Sequence, residues 1–125
     1  MDDSEWTNFA PLQDDHPMTP TEWIRALNDR FRKTFTGGRV VITDGIVALG
    51  PLAAINILQD VRGFSTFTDD NDPHSEHDFG AIEHNGNTIF WKIHYYDTGY
   101  EAGSPDPANP AVTGRLLTVM LAQEY

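Results

Sequence analysis

Cysteine is absent from the chain. Its absence excludes disulfides and thiolate metal centres and suits a reducing compartment, so a cytoplasmic location is expected. Basic residues are scarce: eight Lys and Arg stand against 19 Asp and Glu, a formal charge of −11. Phosphate backbones and anionic lipid surfaces are bound by Lys and Arg that displace counterions, so no direct nucleic-acid binding is expected. A protein partner with a basic surface is the class such a charge favours. No apolar run approaches the roughly 18 residues that cross a bilayer, so no membrane association is expected. Residues 1–18 hold no Lys or Arg and do not read as a secretory signal.

What the chain does have is enough length, at 125 residues, for one domain with a real core. Residues 1–18 carry five acids and two prolines among scattered apolar residues, which suggests an acidic N-terminal arm, with a single domain over 19–125. In "TPTEWIRALNDRFRKTF", Thr19 is suited to cap a helix, Pro20 to open it, and Glu22 to complete a capping box. Trp23, Ile24, Leu27, Phe31 and Phe35 form its apolar stripe; Arg25, Arg30, Arg32 and Lys33 read as a solvated face. "RVVIT" (39–43) reads as a strand, followed by a turn and a second helix from Gly50-Pro51 to Gly63, with Leu52, Ile55, Leu58 and Val61 as its core stripe. "FSTF" reads as a brief edge strand.

Asn85-Gly86 between two β-prone runs predicts a hairpin. Ile89, Trp91, Ile93 and Tyr95 then face the core, and Phe90, Lys92, His94 and Tyr96 face away. A fourteen-residue Gly/Pro loop follows at 97–110, long enough to be a candidate cleft wall. Asn109-Pro110 suggests the start of a last helix with Val112, Leu116, Leu117, Met120 and Leu121 on its core side. The order predicts an α+β domain: a small antiparallel sheet containing a β-hairpin in the C-terminal half, with about three helices packed on it.

The chemistry-bearing residues concentrate in "DNDPHSEHDFG" (70–80). His74, His77 and Asp78 are conceivable ligands of a divalent metal ion such as zinc, iron or manganese, but the spacing matches no strong metal motif. If 77–79 is extended, His77 and Asp78 point to opposite faces. An oxygen-lined calcium loop through Asp70, Asp72, His74 and Glu76 lacks the turn glycine. Acid–base catalysis could draw on His74, Glu76, His77 and Asp78, with Tyr96 or His94 across the hairpin, yet no activated nucleophile is evident. The plainer reading is a turn held by its own hydrogen bonds and anchored by Glu76 or Asp78 on Arg39, Arg62 or Lys92.

Taken together, "LNDRFRKTFTGGRVVIT", "DNDPHSEHDFG", "FWKIHYYD" and "SPDPANPAVTGRLLTVMLAQEY" resemble the domain of unknown function 3768, a small proteobacterial family frequent on plasmids and integrative elements. The resemblance spans about residues 26–125 and brings no reaction, cofactor or catalytic residue with it. Its DPHGEHDFG hallmark falls on Asp72, Pro73, His74, Glu76, His77, Asp78, Phe79 and Gly80. Ser75 stands where the family often has Gly, which implies that positive φ is not needed there. The family pattern commonly has Asp at the position of His94, which argues against an essential ligand role for it.

Two functions follow as expectations. The first is a small acidic, non-enzymatic binding protein, monomer or homodimer (through the hairpin edge or the last helix), with no cofactor. The mobile-element setting suggests counter-defence, as an anti-restriction or anti-CRISPR inhibitor occupying a basic channel. Its contact residues are then Asp69, Asp70, Asp72, His74 and Glu76 on the loop, and the acidic arm. The alternative is a small metal-assisted or acid–base enzyme using the His74–Asp78 loop.

Overall fold

A computed structural model of the chain describes residues 17–125. The acidic arm, apart from Pro17 and Met18, lies outside the described residues. Among the described residues the first helix, α1, runs Pro20–Thr34. Its capping box forms as expected: the Glu22 amide donates to Thr19 Oγ1 at 3.2 Å and the Thr19 amide to Glu22 Oε1 at 2.9 Å. Left-handed Phe35 ends it. The strand β1 (Gly38–Ile42), a one-turn helix α2 (Asp44–Val47) and α3 (Pro51–Arg62) follow. The hairpin comprises β2 (Phe79–His84) and β3 (Asn87–Tyr96), joined by Asn85 and Gly86 with φ of 49° and 85°, both in the left-handed region that such a turn requires.

The last helix is not there. Asn109 does cap, accepting from the Ala111 amide at 2.9 Å, but it caps only a single 3₁₀ turn over Pro110–Val112. The chain then extends as β4 (Gly114–Leu121). β4 is an interior strand, with β1 parallel on one side and β3 antiparallel on the other, so the sheet order is β1-β4-β3-β2. Leu117 and Val119 enter the core while Met120 is buried from the opposite face. The outward residues of β4 include the apolar Leu116 and Met120, so the strand reads as a nearly continuous apolar run, which mimics helical spacing. The fold is α+β as expected, with three α-helices among the described residues, and its sheet is antiparallel except for the β1–β4 pair.

The helices pack on one face of the sheet. Phe31 of α1, Ile46 of α2, and Ala54, Ile57 and Val61 of α3 cover Ile89, Trp91, Ile93, Leu117 and Val119. Two expected faces are revised. On α3 the core stripe is Ala54, Ile57 and Val61, and Leu52 and Ile55 point to solvent. On α1 the buried set includes Asn28 and Arg32, so Arg32 is not part of a solvated face. "FSTF" forms no strand; Phe64 and Phe67 instead stand edge-on to Trp91, with ring centroids 5.4 and 6.1 Å away.

Candidate functional site

The 68–78 loop builds itself locally. The Thr68 amide donates to Asn71 Oδ1 at 2.9 Å, and the Asp72 amide to the Thr68 carbonyl at 2.8 Å. Asp72 is buried, and its Oδ1 accepts from the His77 amide at 3.0 Å. Ser75 and His77 both adopt left-handed backbone, with φ of 58° and 55°. The expectation of an ordinary φ at Ser75 is therefore corrected: the loop does bend there, in a conformation that glycine adopts most readily. Gly80 is fixed by packing, since a Cβ would collide with the Trp91 indole and Phe64.

The two backbone kinks sort the loop's side chains onto two sides. On the inner side, His77 Nδ1 donates to Asp29 of α1, 2.9 Å from Oδ1 and 3.1 Å from Oδ2. Its Nε2 lies 3.5 Å from Asp72 Oδ2, and its ring stacks on Phe67 with centroids 3.7 Å apart. Asp29 also receives Arg32, which is buried, donates to the Phe64 carbonyl, and lies over the Phe67 and Trp91 rings. Beside this cluster Asn28, fully buried, donates to the Glu76 carbonyl at 3.0 Å and to the Tyr95 hydroxyl at 2.8 Å. Tyr95 donates to Glu76 Oε1 at 2.7 Å, and Arg115 Nε donates to Asn28 Oδ1 at 2.8 Å. Burial, and then the Glu76 carboxylate that holds its proton, push Tyr95 well above the ordinary phenol value. Burial lowers the Arg115 guanidinium from its usual value, against the pull of Tyr95 and Glu76.

On the outer side, the loop edges the uncovered face of the sheet. Asp78 pairs with Lys92 at 2.7 Å, and its carbonyl accepts from the Ile93 amide, so extended pairing begins there. With Asn71, Pro73, His74, Phe79, Phe90 and Tyr125, this pair lines an open cleft of about 480 Å³. Phe79, Phe90 and Tyr125 meet edge-to-face at 5.1–6.2 Å, forming its aromatic floor. His74 is exposed and has no hydrogen-bond partner among the described residues. His94 and Tyr96 lie farther along the same sheet face, stacked on each other at 6.2 Å. Asp69 and Asp70 are exposed and unpaired among the described residues.

The candidate site residues are thus divided. His77, Glu76 and Asp72 turn inward; His74 and Asp78 line the outer cleft; Tyr96 belongs to neither the inner network nor the cleft. Among the described residues no three His, Asp or Glu side chains are placed to hold a metal ion. An Asp–His pair can orient a general base. Here the free nitrogen of that pair faces a second carboxylate, and no hydroxyl is hydrogen-bonded to it among the described residues. Of the proposed contact residues, Asp69, Asp70 and His74 are presented to solvent. Asp72 is enclosed, and Glu76 is half-buried and engaged by Tyr95.

The 97–110 loop is strapped down rather than open. Arg115 donates to the Pro107 carbonyl at 2.6 Å, Ser104 and Thr113 share a 2.7 Å hydroxyl contact, and Tyr100 receives Arg39 over its ring at 3.9 Å. Asn28, Asp29 and Arg115 had no role in the sequence reading. The available signal was Asn28, a polar residue four after Ile24 and three before Phe31 on the apolar stripe.

Fold and loop define a small α+β domain whose polar motif is built into its scaffold. The family model described as protein of unknown function (DUF3768) matches residues 42–124, most of the chain, and the protein belongs to that family. The match includes the whole 70–80 motif but not Asn28, Asp29 and Arg32, which secure it from α1. No curated protein and no solved structure matches the chain. No helix among the described residues is long and apolar enough to cross a membrane.

Proposed function

We propose that this protein is a non-enzymatic binding module that presents a negative surface to a basic protein partner. One observation carries the reading: the motif residues best suited to chemistry are consumed by the scaffold. His77 is held between Asp29 and Asp72, and Glu76 is held by Tyr95. What the same loop leaves outward is acidic and unpaired, at Asp69 and Asp70, beside a cleft with an aromatic floor. Carboxylates held on a rigid turn suit a partner whose Lys and Arg otherwise contact phosphate, and they speed encounter at low salt.

The narrower form of the proposal is counter-defence in a mobile-element setting: inhibition of a restriction or CRISPR effector by occupying its nucleic-acid channel in the cytoplasm. The test is displacement of a labelled DNA duplex from purified effectors of both kinds, titrated at low and high salt. Saturable displacement that weakens steeply with salt is expected. Absence of displacement from every effector at low salt contradicts the narrower form.

A further inference from the structure

The segment 45–59, "GIVALGPLAAINILQ", contains no Asp, Glu, Lys, Arg or His; every charged side chain of the chain lies outside it. It forms most of α2 and α3, and its apolar side chains are not all used by the core. Ile46, Ala54 and Ile57 point inward, while Val47, Leu52 and Ile55 remain 57%, 71% and 55% exposed. Leu52 and Ile55 lie three apart and share one face of α3. With Ile42, Gly50, Pro51 and Ala54, Val47 and Ile55 line a shallow apolar cleft of about 350 Å³ beside the edge strand β1. Large apolar side chains clustered on the outside of a small, highly charged domain mark an interaction surface.

We infer that this face is where two copies of the chain associate, through a two-fold contact of α3 on α3. The charge distribution selects the occupant. A basic partner gains no ion pair on a surface without carboxylates, and it is drawn to the acidic loop instead. A second copy carries the same net charge of −11 and is repelled wherever carboxylates face each other. The α2–α3 face is the stretch where two such molecules meet without that penalty, and an uncharged apolar patch is complementary to itself, as a two-fold interface requires. Exposed Asp44 and Asp60 border the patch, as does Glu124, whose carboxylate accepts from the Gly45 amide at 3.0 Å, so residual repulsion is confined to its rim.

The test is sedimentation analysis of the full chain over a range of protein and salt concentrations, with Leu52→Asp/Ile55→Asp and the milder Leu52→Gln alongside. The wild type is expected to approach twice its 14.0 kDa monomer mass. The dimer is expected to tighten as salt rises, because screening relieves the rim; binding of a basic partner responds in the opposite sense. A two-fold contact counts each substitution twice, so the double variant is expected to raise the dimer dissociation constant by about a hundredfold or more. Leu52→Gln, which adds no charge, is expected to weaken the dimer while preserving the circular dichroism spectrum. A wild type at monomer mass under all conditions overturns the inference, as does a dimer untouched by both variants. A monomer whose melting temperature falls with Leu52→Gln also overturns it, since the face would then be covered within the chain.

Discussion

His77 Nδ1 lies 2.9 Å from the carboxylate of Asp29, joining a loop of the family motif to the first helix across 48 residues of sequence. This contact converts a His–carboxylate motif that resembles a reactive centre into a strut. Removing either end is expected to cost stability. His77→Ala should cost about 2 kcal/mol, from a lost charge-assisted hydrogen bond and its stacking on Phe67. Asp29→Ala should cost about 3 kcal/mol, because buried Arg32 loses its partner as well. In a urea-unfolding double-mutant cycle the two losses should fall short of additivity by about 1 kcal/mol. Additive losses would mean that the two side chains are not coupled.

Asn28 is the hub of the neighbouring network, touching Glu76, Tyr95 and Arg115 while fully buried. Asn28→Ala leaves a guanidinium nitrogen and a main-chain carbonyl without partners, so a loss of about 3 kcal/mol is expected. Asn28→Asp is expected to retain the Arg115 contact but lose both donations. Thermal melts of the two variants beside the wild type check this; a fall of only a degree or two for Asn28→Ala contradicts it.

How much of this was legible in sequence depended on range. The Thr19–Glu22 box and the Asn85-Gly86 turn are decided within four residues, and both formed as read. β4 was misread because its identity depends on partners: only the placement of β1 and β3 on either side makes "RLLTVML" an interior strand. The motif at 70–80 was visible as polar and turn-forming, but the opposed directions of His77 and Asp78 come from the left-handed backbone at His77, not from the extended backbone on which that expectation rested. What sequence could not supply was where His77 would point, since its partner Asp29 lies on a helix face read as solvated.

Ser75 occupies a left-handed backbone conformation, φ 58°, with its side chain exposed. A side chain at such a position costs about 1 kcal/mol relative to glycine, part of which is returned by glycine's greater freedom when unfolded. Ser75→Gly is expected to raise stability by about 0.5 kcal/mol, read as a higher urea midpoint with unchanged slope. A lower midpoint would show that the hydroxyl contributes something the contacts of the loop do not reveal.

The raised Tyr95 phenol gives the fold a signature in base. The folded state holds this proton more tightly than the unfolded chain does, whose phenol ionises near the ordinary 10.0. Above that pH the unfolded state releases a proton that the folded state retains, so stability is complete below pH 10 and declines as pH rises beyond it. Tyr95→Phe is expected to be less stable at neutral pH, having lost two hydrogen bonds, but to show a shallower decline between about pH 10 and 11.5. Parallel declines in the two proteins would place the phenol in an ordinary environment.

Recognition through the outward carboxylates is the central claim, and the salt dependence of affinity for a basic partner measures it most directly. Once a displaced effector is in hand, Asp69→Asn/Asp70→Asn is expected to weaken binding severalfold and to flatten its dependence on salt, while His74→Ala leaves that dependence unchanged. An affinity unmoved by the paired Asp substitution and insensitive to salt, yet abolished by His74→Ala, would contradict the account and return attention to the cleft as a reactive centre.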